Sequence, residues 1–154
     1  MIIDILCVGR TLRSDERVWM DDYFHRIQSF APCSIRRIKE ASGSTPAQRA
    51  DATWQEIQKQ IPKQSYSILL DPNGDRVTTE AFATLFDQAQ KSARNRVVFL
   101  VGGSYGFPSD APSSVDRTIS LSPLTLPHRL ALLLLIEQIY RVLSWRAGSP
   151  YHHP

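Results

Sequence analysis

The chain has 154 residues, the length of one domain, and folding at that size buries about two-thirds of the unfolded surface. Hydrophobic residues make up 42% and charged residues 21%, as in an ordinary soluble globular protein. A net charge of +3 permits an anionic partner such as RNA without demanding one, and the two cysteines form no C-x-x-C pair and match no metal spacing.

Ile2 to Val8, "IIDILCV", predicts a buried strand ending at Gly9. Cys7 lies inside this apolar run and reads as a buried free thiol, which fits a reducing, cytoplasmic setting. The stretch has no basic n-region, carries Asp4, and ends too early for a signal peptide. Asp15 to Phe30 sets Val18, Trp19, Tyr23, Ile27 and Phe30 near helical spacing, and Pro32 breaks that helix. "SIRRIK", Ser34 to Lys39, alternates apolar with basic residues and predicts a half-exposed strand. "EASGSTPAQ" reads as a loop. Ala47 to Gln60 then carries Ala50, Trp54 and Ile57 as a helix that Pro62 stops.

Ser67 to Leu70 predicts a short strand, and "DPNGD" a turn after it. Thr79 opens a helix with Phe82, Leu85, Phe86 and Ala89 on one face, and Glu80 beside its positive end. Val97 to Val101, "VVFLV", predicts the clearest strand, followed by the loop "GGSYGFPSDAP". A short helix over Ser113 to Arg117 and a strand over Ile119 to Leu121 complete this part. The apolar run Leu130 to Ile136 is too short for a membrane span of about 20 residues. Leu132, Leu135, Ile136, Ile139, Tyr140 and Leu143 recur at helical spacing instead, with Pro127 in the first turn and Arg146 and Gly148 at the stop.

Strands alternating with helices predict an α/β fold with a mostly parallel sheet, and no repeat or linker divides the chain. Ligands of such folds sit beyond the carboxyl ends of strands. "GGSYG" there matches neither a dinucleotide fingerprint nor a phosphate loop, and taken alone a plain tight turn explains it better than a ligand contact does. Ser122 to Leu126, stiffened by Pro123 and Pro127 and walled by Leu121, Leu124 and Leu126, suits an adenine slot. A strand-to-helix connector has the same composition. The terminal "SPYHHP" offers Tyr151 and two imidazoles that could stack on a base or move a proton, or else a frayed end.

Taken together, "GGSYG", "LSPLTLPHRL", "IEQIYR" and the terminal "YH" resemble the RlmH family of SPOUT-class methyltransferases, over essentially the whole chain. The opening strand ending in "VGR" and the "LLD" strand end belong to the same resemblance. It implies a single SPOUT domain over residues 1–154, with the C-terminal part threaded as a deep trefoil knot. It implies a homodimer that carries S-adenosyl-L-methionine and methylates N3 of pseudouridine 1915 in 23S rRNA. A protein this small and weakly basic would act on rRNA within the assembled ribosome, with no membrane and no metal.

Residue by residue, the resemblance places cofactor contacts at Leu70, Gly103, Ser122, Pro123, Leu124, Thr125, Leu126 and Pro127, and a substrate contact at His128. It sets Arg141, Tyr151 and His152 on the substrate side. There His152 is the candidate general base, Tyr151 positions the base, and Arg141 stabilises charge on the uracil oxygens. The chain departs from the family in ending His153-Pro154 where Arg or Lys often follows, and in a lysine-poor loop after Lys39 whose one basic residue is Arg49. Arg36, Arg37 and Lys39 supply nearby positive charge, although the same cluster would suit a solvated strand face. Competing readings are a catalytically idle knotted RNA-binding protein and an unrelated flavodoxin-like nucleotide binder.

Overall fold

A computed structural model describes residues 1–9 and 14–153, and of Asp15 and Glu16 the backbone alone. Arg10 and Pro154, both of which figure in the resemblance, lie outside the described residues. The elements run β1 (Ile2–Val8), α1 (Ser14–Gln28), β2 (Cys33–Ile38), α2 (Pro46–Gln60), β3 (Tyr66–Arg76), α3 (Thr79–Lys91), β4 (Arg96–Val101), β5 (Arg117–Ser120) and α4 (His128–Arg146). One 3-10 turn, Ala111–Ser114, overlaps the helix expected over Ser113 to Arg117 but begins two residues and ends three residues earlier. β5 likewise begins and ends earlier than Ile119 to Leu121.

The five strands form one sheet in the order β2-β1-β4-β3-β5, and every pairing is parallel. Alternate residues of a strand face opposite sides of a sheet. Ile3, Ile5 and Cys7 of β1 and Val97, Phe99 and Val101 of β4 therefore join one core with Ile27, Phe82, Phe86, Leu132, Leu135, Ile136 and Ile139. Leu6, Val8, Val98 and Leu100 point the other way, toward Trp54 and Ile57 of α2. Helices α1, α3 and α4 thus cover one face and α2 the other. Each fully buried Leu, Ile or Phe adds about 1.5–3 kcal/mol of transfer free energy.

Local chemistry sets the helix starts. Thr45 and Thr78 accept hydrogen bonds from the Gln48 and Ala81 amides at 3.2 Å each, capping α2 and α3. α4 has Pro127 at its cap position and no side-chain cap.

β3 departs from the sequence reading. The predicted turn at "DPNGD" is present, with the Asn73 amide donating to Asp71 Oδ1 at 2.8 Å. The strand does not end there. Leu70 and Asp75 both pair with Ile119 of β5, so residues 71–74 bulge out and the ladder resumes at Asp75 and Arg76. Gly74 makes the return possible, because a Cβ there would stand 2.7 Å from the Ile119 backbone.

Candidate active site

β4 lies inside β3, and β5 passes back outside it, so the order of connections reverses at this edge of the sheet. Crevices at the carboxyl ends of strands form at such reversals. A cavity of about 400 Å3 opens here. β3 and its bulge supply Leu70, Asp71 and Pro72. The loop after β4 supplies Gly102, Gly103, Ser104, Gly106 and Phe107. The loop after β5 supplies Leu121, Ser122, Leu124, Thr125, Leu126 and Pro127, and α4 adds His128 and Ala131.

Both glycine-rich and proline-framed loops are held in shape. In the first, the Gly106 amide donates to the Gly103 carbonyl at 3.2 Å. In the second, Ser120 Oγ donates to the Ser122 carbonyl at 2.8 Å, and the Leu124 amide donates to Ser122 Oγ at 3.0 Å. Fixed main-chain groups between apolar walls are the make-up of a small-molecule pocket, and the volume lies in the usual range.

The structure brings together Leu70, Gly103, Ser122, Leu124, Thr125, Leu126, Pro127 and His128 around this cavity. Pro123 shares their loop but does not line it. Asp71, which closes the "LLD" strand end, lines it too, and Pro72, Phe107 and Ala131 line it without having been singled out from the sequence. The bulge in β3 brings in Pro72, and a turn motif gives no sign that a ladder resumes beyond it. Val101 and Gly102 follow directly from the rule about strand ends.

Arg141, Tyr151 and His152 form a separate cluster within the protomer. Arg141 donates to Glu137 Oε1 through Nε at 2.9 Å and Nη2 at 2.6 Å. Its guanidinium lies 4.8 Å from the centre of the Tyr151 ring. The Tyr151 hydroxyl donates to the same Glu137 oxygen at 3.2 Å and lies 3.1 Å from the Tyr23 hydroxyl. A phenol is protonated at neutral pH and can donate, and burial, then Tyr23 and Glu137, push the Tyr151 pKa further above its ordinary value. Glu137 and Tyr23, missed by the sequence reading, organise this cluster. Glu137 follows His128 by nine residues, about 13 Å along the helix axis.

His152 packs on Trp145 with ring centres 4.6 Å apart, and its side chain is only 6% exposed. Both ring nitrogens are buried without a hydrogen-bond partner among the described residues, with Nε2 at 4.0 Å from Glu80 Oε1. His128 stands between the cavity and the end of β1, where a Cβ on Gly9 would come within 3.2 Å of its Nε2.

The cysteines offer no nucleophile here. Burial, then Asp4, push the Cys33 thiol up to about 12, and burial raises Cys7 despite Arg37 beside it. Among the described residues, no group of three or more His, Cys, Asp or Glu could hold a metal ion, and no helix is long and apolar enough to cross a membrane.

Comparison with known proteins gives the family. A family profile described as "Predicted SPOUT methyltransferase" matches residues 1–152. Ribosomal RNA large subunit methyltransferase H of Geobacter metallireducens is 34% identical over 153 residues, covering 99% of both chains. The protein of the same name from Thermus thermophilus is 34% identical over 154 residues and covers both chains completely. That from Geotalea uraniireducens is 30% identical over 99% of this chain. A full-length profile match, relatives at this identity from end to end, and a parallel α/β sheet lead to one conclusion: the chain belongs to the SPOUT methyltransferase family, alongside proteins named ribosomal RNA large subunit methyltransferase H.

Proposed function

We propose that this protein transfers a methyl group from S-adenosyl-L-methionine to N3 of a pseudouridine in 23S rRNA, at the position 1915 that the resemblance implies. It works as a single domain and as a homodimer, in the cytoplasm, on the assembled ribosome. The observation that carries this reading is the convergence of three separate chain segments, at Leu70, Gly103 and Ser122 to Pro127, on one cavity. The relatives' shared name supports rRNA as the substrate. In this reading the segment from β4 onward is threaded as a trefoil knot.

The cavity suits the donor. Leu70, Leu121, Leu124 and Leu126 give an apolar slot for an adenine ring, and the backbone of residues 122–126 gives hydrogen-bonding groups for its edge. When bound, S-adenosyl-L-methionine supplies a methyl group activated on a sulfonium. The protein's share is to orient the two reactants, exclude water and accept the proton that leaves N3.

We assign the proton acceptor to His152 of a second copy, because within one protomer His152 packs on Trp145, outside the cavity wall. Arg141 and Tyr151 travel with it, the first as a fixed cation facing the uracil oxygens and the second as a donor that positions the base. The lining position of His128 favours it as the second candidate. Large apolar side chains left exposed on α1 and α4, Val18 at 69%, Trp19 at 65% and Leu130 at 48%, suit burial between two copies.

The test is transfer of a labelled methyl group to ribosomes lacking the modification, run beside free 23S rRNA. Label at N3 of the pseudouridine, on ribosomes, is expected. An unlabelled substrate despite bound donor would leave the idle RNA-binding protein as the better account.

A further inference from the structure

Behind the glycine-rich loop, on the side away from the cavity, stand two charged residues that no step above uses. Glu40 follows β2, and its Oε1 accepts a hydrogen bond from the Ser104 amide at 3.1 Å. The contact is close-fitting. A Cβ on Gly103 would meet Glu40 Oε1 at 2.8 Å and Val8 Cγ1 at 2.6 Å, so the loop backbone lies directly against them. Arg49, in the first turn of α2, donates from Nη1 to the Tyr105 hydroxyl at 2.9 Å and holds its guanidinium 5.2 Å from that ring's centre. Arg49 Nε also donates to the Gly43 carbonyl at 2.8 Å. Consecutive residues of one loop, Gly103, Ser104 and Tyr105, are thus fixed from behind by two side chains from another part of the chain.

We infer that Glu40 and Arg49 are positioning residues for the donor: they set the backbone of Gly103 and Ser104, which line the cavity, and tie it to the loop of residues 41–45. Phe107 anchors the far end of the loop, its ring edge-on to Trp54 with centres 5.7 Å apart, but Gly103 and Ser104 carry little side chain. The conformation of these two residues therefore depends on the carboxylate that the Ser104 amide reaches and on the arginine that pins Tyr105. A charge-assisted hydrogen bond of this kind is roughly twice as strong as a neutral one. Arg49 bridges Gly43 and Tyr105, so displacing the 41–45 loop shifts the donor wall as well. The one basic residue of that lysine-poor loop region is therefore committed to the cavity and not to phosphate. This inference rests on the cavity being the donor site.

The experiment titrates S-adenosyl-L-methionine calorimetrically into the intact protein and its Glu40→Ala, Glu40→Gln and Arg49→Met variants, with melting curves and steady-state kinetics in parallel. Glu40→Ala and Arg49→Met are expected to weaken donor binding about tenfold, the usual order for losing a hydrogen bond to a charged group. Glu40→Gln, which keeps an acceptor oxygen in place, is expected to restore most of it. KM for the donor should rise while kcat at saturating donor stays near that of the parent, a split that general loss of folded protein would not give. Unchanged donor affinity in Glu40→Ala and Arg49→Met, or an equal fall in kcat with KM unmoved, overturns the inference while leaving the donor site intact. No binding by the unsubstituted protein overturns both.

Discussion

At the scale of single residues, the cavity is defined as much by missing atoms as by present ones. Gly103 packs against Val8 and Glu40 with no room for a methyl group. Gly103→Ala is expected to cost about 1–3 kcal/mol, the usual penalty for overpacking, and to weaken donor binding; thermal melting and calorimetry check both. Asp4, almost fully buried, accepts from Ser34 Oγ at 2.6 Å and pairs with Arg96. Arg96→Met leaves that carboxylate without its cation and is expected to destabilise by about 3 kcal/mol in chemical unfolding. At the site, His152→Ala is expected to lower kcat by about a hundredfold or more, as loss of a general base does, with donor affinity retained. If His128→Ala alone had that effect, the proton would belong to His128.

At the scale of elements, the outer edge of the sheet depends on one carboxylate. Asp116 precedes β5, and its Oδ2 accepts from the Ser67 amide at 2.8 Å and from Ser67 Oγ at 2.9 Å, beside Arg94. Burial works against its charge, but Arg94 and Ser67 outweigh burial and hold its pKa below the ordinary carboxylate value. A pKa lowered on folding gives stability that is present above the unfolded value and is lost as pH falls through the folded one. Stability should therefore drop below about pH 4, and Asp116→Asn should flatten that limb in pH-dependent melting curves.

Most elements were legible in the sequence because their signals are local. "VVFLV" is apolar and β-branched, Phe82, Leu85 and Phe86 share one face of α3, and α4 shows its spacing through Leu132, Leu135 and Ile139. The bulge at Asp71 to Gly74 was not legible, because its cause is a backbone approach by Ile119, 45 residues beyond Gly74. The same holds for Glu137, whose role depends on a tail that turns back from Gly148 to reach it. Glu40 and Arg49 look like ordinary loop and helix charges until the fold sets them behind Gly103 and Tyr105.

At the scale of the whole molecule, the cavity and the C-terminal cluster belong to different parts of the protomer surface, and the proposed homodimer is what joins them. Trp19, exposed on α1, is a test of that arrangement. Trp19→Glu should shift the protein from dimer to monomer in sedimentation or light scattering and remove methyl transfer with it. A monomeric parent protein with full activity would contradict the need for a second copy. The central claim is narrower still: the carboxyl ends of β3, β4 and β5 together hold the donor. Its most direct test is a crystal structure with S-adenosyl-L-homocysteine. The account predicts the adenosine between Leu70, Gly103 and the Ser122 to Pro127 loop; a ligand bound elsewhere, or none at saturating concentration, would contradict it.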